Sequence, residues 1–411
     1  MATRVRFFAP EDEAETSSFV DLCNGIDDFW RRFMRVSSDP PTRWIADLRA
    51  VLARVHEDLG LEARALPDGT RMLAIVPLGG PACWPLSRLF LERAPMCFPW
   101  SFACEREPLP LDRCIAEVRE EFGIDLGDAR ARVGVTRGHL LEVVIASSRF
   151  DVHDPASREA AEQLCAQLLG DRRFDSWIAR VSVQARAKSR LLRVVGDGEV
   201  PELPLGLDEV AAAIDAATTG ILNGLPDAPL HAYCERAEWT LFELGEQRPG
   251  RASSRSATEA HPRGAALSDT PSQADLLLAA SCCPEALKCL LSGQPFASER
   301  FSRHGERFAY LKFRVEAADD EARCQKRSEI EDALDRALVP GRLGCVVGNG
   351  LGERHLYVDL ALANVEAAIP VVRNRLERAG VEGDAWMFFF DDEWSNEWLA
   401  MNDRTRQPRY R

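Results

Sequence analysis

Lysine is nearly absent from this chain: it occurs only at positions 188, 288, 312 and 326, so almost all of the 51 basic residues are arginine. That bias points to a GC-rich, bacterial coding sequence rather than to physiology. Cations are also outnumbered, since 65 acidic residues leave a formal charge of −14. Such an excess argues against general nucleic-acid binding, whose affinity comes from clustered cations on phosphates. It suits solubility or a basic protein partner. No apolar run approaches the length of a membrane span, and the opening MATRVRFFAPEDEAE turns acidic where a secretion signal would be apolar. The cytoplasm is the expected location, with no membrane association.

Metal and redox signatures are missing too. The twelve cysteines are thinly spread over 411 residues and no two stand as C-x-x-C, so neither a zinc ribbon nor a disulfide scaffold is expected. Cys114, Cys165 and Cys345 fall inside elements, where a thiol packs as a small hydrophobe. The seven histidines are single, with no H-x-x-x-H or H-E-x-x-H. Neither a metal nor a cofactor is expected.

What the chain does have is alternating strand and helix patterns. Its length predicts two domains. In the C-terminal half, RFAYLKFRVEA reads as a strand. SEIEDALDRALVPG follows as a helix, with a Ser328/Glu331 capping box, an apolar face of Ile330, Leu334 and Leu338, and a stop at Pro340-Gly341. RLGCVVG and RHLYVDLAL are strands, and NVEAAIPVVRNRLERAG is a helix capped by Asn364 and stopped by Gly380, with Pro370 expected to kink it or delay its regular start. DAWMFFFDD closes the unit as a strand. The order is β-α-β-β-α-β, that of a ferredoxin-like fold.

Gly348, Gly350 and Gly352 imitate a phosphate-binding loop, but such a loop must open a helix, and these open a strand. They are read as a flexible hairpin whose turns need positive φ.

The same order appears earlier: PWSFACERE, LDRCIAEVREEFG, ARARVGVTRG, HLLEVVIASS, PASREAAEQLCAQLLGD and FDSWIARVSVQ. A His-Leu pair opens the third strand of both copies (His139-Leu140, His355-Leu356). The first copy follows a helix, a hairpin turning at Pro67-Asp68-Gly69, and a short helix from Trp84. The second follows the helix LDEVAAAIDAATTGILNGL, the long strand HAYCERAEWTLFELG, a low-complexity loop (247–273) and a helix from Ala274. The expected fold class is therefore α+β, with two related domains, each a βαββαβ ferredoxin-like unit with extra N-terminal helices and strands. The expected boundaries are 1–184, a linker at 185–205, 206–392 with a disordered loop at 247–273, and a tail at 393–411.

DDFWRRFM near the N-terminus, PFASERFSRHGERFAYLKF, GNGLGERHLYVDLAL and the closing FFDDEWSNEWL are similar to uncharacterised bacterial proteins with paired α+β, ferredoxin-like domains. The resemblance covers most of the chain. It implies a bacterial origin and a recurring architecture; it carries no activity and no catalytic residue.

The densest polar cluster is SERFSRHGERF (298–308). Its spacing is that of a hairpin, so Arg300, Arg303, His304 and Glu306 are read as a polar recognition surface, with His304 also a catalytic candidate. Cys283 in SCCPEALKCLL is the best nucleophile candidate, because Pro284 suits the first turn of a helix whose dipole would lower the thiol pKa. Trp394 and Trp398 in DDEWSNEW would share an i,i+4 helical face, docked back on the domain or offered to a partner. The leading expectation is a non-enzymatic, cytosolic protein-binding module such as an adaptor, inhibitor or immunity-type protein, whose partner is a protein, with the acidic surface favouring a basic one. The alternative is an enzyme or small-ligand-binding regulator with its site in the inter-domain cleft.

Overall fold

A computed structural model describes residues 13–66, 68–185, 204–244, 275–406 and 408. The expected loop at 247–273, and all but the ends of the expected linker at 185–205, lie outside the described residues. The chain is mixed α and β, and it divides into two compact units: residues 1–104 together with 225–411, and residues 105–224.

The first unit begins with α1 (Glu13–Val36), α2 (Pro41–Val55), β1 (Leu59–Ala65), β2 (Arg71–Pro77), α3 (Trp84–Glu92) and β3 (Trp100–Ala103). β1 and β2 form the expected antiparallel hairpin, with Gly69 at φ +83°, while β3 joins β2 in parallel. DDFWRRFM is explained by packing. Ile26, Phe29, Trp30 and Phe33 line one stripe of α1; Phe29 meets Phe90, and Phe33 meets Trp44 and Trp100, in edge-to-face contacts. The indole nitrogens of Trp30 and Trp100 donate to the carbonyls of Phe90 (3.0 Å) and Ser37 (2.9 Å), so these large rings are buried without orphaned polar groups.

The second unit holds α4 (Leu111–Phe122), β4 (Arg130–Val135), β5 (Leu141–Ser147), α5 (Pro155–Leu169), α6 (Asp171–Trp177), β6 (Ile178–Ala185), β7 (Leu205–Gly206) and α7 (Val210–Gly224). Its sheet order is β6-β5-β4-β7, with β5 and β6 parallel. The first ferredoxin-like copy therefore does not form. Its expected opening strand, β3, is paired with β2 from Arg71 to Ala74 and never enters this sheet. α7, expected to open the C-terminal domain, instead buries Val210 and Ile214 in this unit's core.

The remainder of the first unit holds β8 (Thr240–Glu243), β9 (Leu276–Ser281), α8 (Pro284–Leu291), β10 (Arg307–Phe313), α9 (Asp320–Leu338), β11 (Gly344–Gly352), β12 (Leu356–Leu362), α10 (Val365–Arg378), β13 (Ala385–Phe389) and β14 (Trp398–Ala400). The seven-stranded sheet runs β14-β13-β10-β12-β11-β9-β8, antiparallel throughout. Within it β10, β11, β12 and β13 take the spatial order 4-1-3-2 of the expected C-terminal βαββαβ unit. Ile330, Leu334 and Leu338 face the sheet as anticipated, and Asn364 caps α10 by accepting from the Ala367 amide at 3.0 Å.

Four local expectations fail. α9 starts two turns before Ser328, because Asp319 caps it through the Ala322 amide at 2.8 Å. The long strand expected at 231–245 is two 3₁₀ turns (Leu230–Ala232, Cys234–Arg236) before the short β8. The helix expected from Ala274 is the strand β9, and the glycines of β11 account for it. Gly348, Gly350 and Gly352 are not a positive-φ hairpin but lie in the strand itself. A Cβ at Gly350 would stand 2.5 Å from Leu276 Cδ1, and one at Gly352 2.6 Å from the Asp275 carbonyl oxygen. They let β9 close against β11.

Candidate functional site

Alternation along the strands gives the seven-stranded sheet two different faces. Ala309, Leu311, Phe313, Leu356, Val358 and Leu360 pack with α9 and α10. On the opposite face Phe308, Tyr310, Tyr357, Phe388 and Phe390 meet Leu230, Cys289, Phe296 and Phe301. Toward the β11–β12 turn this second face becomes polar, with Lys312, Arg314, His355, Tyr357 and Asp275.

Asp275 organises that end. Its carboxylate accepts from the Tyr357 hydroxyl (2.8 Å), His355 Nδ1 (3.0 Å) and the backbone amides of Arg354 (3.0 Å) and His355 (3.2 Å). Burial alone would raise its pKa, but the bonds from His355 and Tyr357 outweigh burial and hold it below the usual carboxylate range. The His355 ring is oriented from both sides, since Nε2 accepts from Arg314 Nε at 3.1 Å. Burial lowers its pKa against the pull of Asp275. Burial also lowers Lys312, whose ammonium lies 5.9 Å from the centre of the Tyr357 ring. An aspartate that fixes an imidazole is the orienting half of a general-base pair. Here Arg314 holds the nitrogen that would take the proton and Asp275 holds the phenol, so in this conformation the group locks the hairpin and leaves beside it the Lys312 ammonium and Trp386, whose ring centre is 6.2 Å from that of His355.

The residues singled out from sequence lie elsewhere, and most are built into the interior. Arg300 is fully buried, with Nη2 donating to the Pro295 carbonyl and to Cys289 Sγ (3.5 Å). Burial pushes the nearby Asp392 up to about 7 against the pull of Arg300. Glu306 is buried and accepts from the Leu230 amide (2.7 Å) and the Ser302 hydroxyl. Arg303 and His304 are exposed, but both are tied to the chain at 225–227. Arg303 donates to Leu225 O and Asp227 Oδ1, and His304 Nε2 lies 2.9 Å from Asp227 O. Ser298 is held in the core by Asp391, through its amide at 2.6 Å and its hydroxyl at 2.5 Å. The segment is a staple between the 225–231 stretch and β10, rather than an assembled catalytic group.

Cys283 does sit at the N-cap of α8. The expected activation is reversed, however: the adjacent Cys282 thiol and burial hold its pKa above the ordinary thiol range. Trp394 and Trp398 do not share a helical face. Trp394 ends a 3₁₀ turn, edge-on to Phe389 at 4.9 Å and beneath the Arg307 guanidinium at 4.9 Å, while Trp398 opens β14 at 5% exposure. Both dock on their own unit.

Two acids escaped the sequence reading. Asp275 falls in the segment expected to form a helix from Ala274. Asp359 lies mid-strand in an apolar run, beside Tyr310 and Gly348, and burial together with the Glu331 charge pushes it up to about 7, against Arg327. The only sequence signal near either was the repeated His-Leu, whose His355 proves to be Asp275's partner. No family model, curated protein or solved structure matches the chain.

Proposed function

We propose that the chain is a cytoplasmic, bacterial, non-enzymatic protein-binding module, built on the ferredoxin-like β10–β13 unit and recognising its partner along the open edge at β8. The supporting observation is that edge. β8 ends the sheet order, and among the described residues no strand pairs with its outer side. It carries exposed apolar side chains where an edge strand would ordinarily be blunted by charge or proline: Leu241 is 64% exposed and the preceding Trp239 44%. Glu243 stands directly across from Leu278 on β9, itself 37% exposed, so Leu241, Glu243 and Leu278 share one face. Backbone donors and acceptors beside an apolar and acidic face suit an extended segment with alternating apolar and basic residues, added as an eighth strand. The net charge of −14 favours the same basic partner. A photo-crosslinking residue at Leu241 in cells expressing the chain should trap a discrete heterologous adduct. The same residue at Val135, also exposed but on β4, should not. Adducts only between copies of the chain, or equal trapping at both positions, would refute the assignment.

A small-ligand or enzymatic reading draws on Asp275, His355, Tyr357 and Lys312, where a half-buried cation adjoins an oriented imidazole. Native mass spectrometry of the purified chain separates the two. A small molecule retained by the parent and lost in Lys312→Met supports a ligand site, whereas the binding module carries none.

A further inference from the structure

In the N-terminal part of the first unit, three side chains from two stretches of chain converge. His56 caps the C-terminal end of α2, Asp58 lies in the turn into β1, and Cys83 directly precedes α3. A ring nitrogen of His56, a carboxylate oxygen of Asp58 and Sγ of Cys83 all lie within 4.8 Å of one another. Tetrahedral zinc, with bonds of about 2.0–2.3 Å, places its ligand atoms about 3.5 Å apart. Small side-chain rotations close that difference.

The backbone is shaped around this group. The Asp58 carbonyl accepts from the amides of Leu78 (2.8 Å) and Gly79 (3.3 Å), tying the loop after β2 to the turn before β1. Gly79 is the residue that permits the approach. A Cβ there would stand 2.8 Å from Asp58 Cβ and 2.9 Å from Cys83 Sγ, so any side chain would drive the acid and the sulfur apart. Gly80, at φ +78°, then turns the chain back toward Cys83. The Asp58 carboxylate accepts no hydrogen bond and joins no ion pair among the described residues. His56 Nδ1 accepts only a long bond of 3.3 Å from the Asp58 amide.

We infer that His56, Asp58 and Cys83 form a binding site for one zinc-type divalent cation. Nitrogen, oxygen and sulfur donors together select zinc over magnesium or calcium, which take oxygen alone. Three protein ligands leave a fourth position for water, the open arrangement of reactive rather than structural zinc. Binding replaces the S–H bond of Cys83 by a metal–sulfur bond and releases the proton to solvent. Without the cation, burial and the Asp58 charge keep that thiol protonated, at about 11. The charge of a bound dication favours the thiolate and offsets both influences.

Cobalt(II) and zinc(II) titrated into the chelator-treated full chain test the assignment. One equivalent of cobalt should give a sulfur-to-cobalt charge-transfer band that zinc abolishes. Cys83→Ser should lose the band. Asp58→Asn, a change at a residue open to solvent, should leave the metal-free melting temperature unchanged and weaken zinc binding by about tenfold or more, since even outer-shell changes cost 10–100-fold. A band that survives in Cys83→Ser would place the metal on another of the twelve cysteines and overturn the site. Absence of saturable one-to-one binding by the parent, or undiminished affinity in Asp58→Asn, would overturn it equally.

Discussion

Replacing Asp359 by asparagine should stabilise the protein above neutral pH and do progressively less as the solution is acidified. Asp359 lies on β12 with Tyr310 and Gly348 beside it on the neighbouring strands. Its carboxylate leans over Gly348, where an added Cβ would meet Oδ2 at 2.4 Å. No hydrogen bond reaches it among the described residues, and burial together with Glu331 moves it from 3.8 to about 7 despite Arg327. Folding thus raises this pKa. Between about pH 4 and pH 7 the native state holds a proton that the unfolded chain has released. The stability attached to Asp359 is therefore full below the unfolded value and is lost as pH rises through about 7. Three pH units at about 1.4 kcal/mol each set a ceiling of about 4 kcal/mol, and water reaching the carboxylate would lower it, so roughly 2–4 kcal/mol is expected. The substituted amide is close to isosteric with the carboxylate and never charged. Urea denaturation of parent and Asp359→Asn from pH 4 to pH 8 gives the difference directly. Asp392, which also titrates near 7, is present in both proteins and cancels. A difference that stays constant with pH, or a parent more stable than the variant at pH 8, would refute the reasoning.

That acid shows where sequence reading stops. Periodicity found the strands and helices of β10 to β13, because alternation and the Ile330, Leu334, Leu338 stripe are local consequences of which side meets the core. It could not find partners. PWSFACERE was recognised as a strand, yet whether β3 joins β2 or the following sheet depends on backbone pairing with Arg71–Ala74, which leaves no mark in β3's own residues. Likewise Leu276–Ser281 carries an apolar run that suits a helix or a strand. What decides is the row of glycines some 70 residues later in β11, which admits a strand at close range. The polar cluster at 298–308 was legible as a cluster but not as interior, because charge density normally marks a solvated face. Arg300 and Glu306 are buried only because Pro295 O, the Leu230 amide and Ser302 receive their polar atoms. Asp275 meets His355 and Tyr357 across 80 and 82 residues, a separation at which no spacing rule operates.

Alkylation in the native state at neutral pH should find Cys283 and Cys345 both slow beside the part-exposed Cys97, because neighbouring thiols and burial keep both protonated; faster labelling of Cys283 than of Cys97 would restore an activated thiol. Trp398→Ala, which empties a core position, should cost roughly 3–5 kcal/mol in urea. Trp394→Ala forfeits an edge contact and a cation–π contact worth about 1–2 kcal/mol together; equal losses would mean that the two rings are not packed as described. The glycines of β11 should differ among themselves. A methyl at Gly350 meets the mobile end of Leu276, its next neighbours being 3.3 Å away, so Gly350→Ala should cost less than about 1.5 kcal/mol once Leu276 rotates. A methyl at Gly352 meets Asp275 twice, at the carbonyl oxygen (2.6 Å) and at carboxylate Oδ2 (2.5 Å). The backbone carbonyl cannot rotate away, and moving the carboxylate strains its bonds to His355 and Tyr357. Overpacking of about 1–3 kcal/mol and a weakened charged hydrogen bond of about 1.5–3 kcal/mol overlap, which puts Gly352→Ala near 3 kcal/mol. If positive φ were the reason for these glycines, alanine would cost the same at both positions. A melting temperature lowered equally by the two substitutions would show that close approach of β9 is not what they serve.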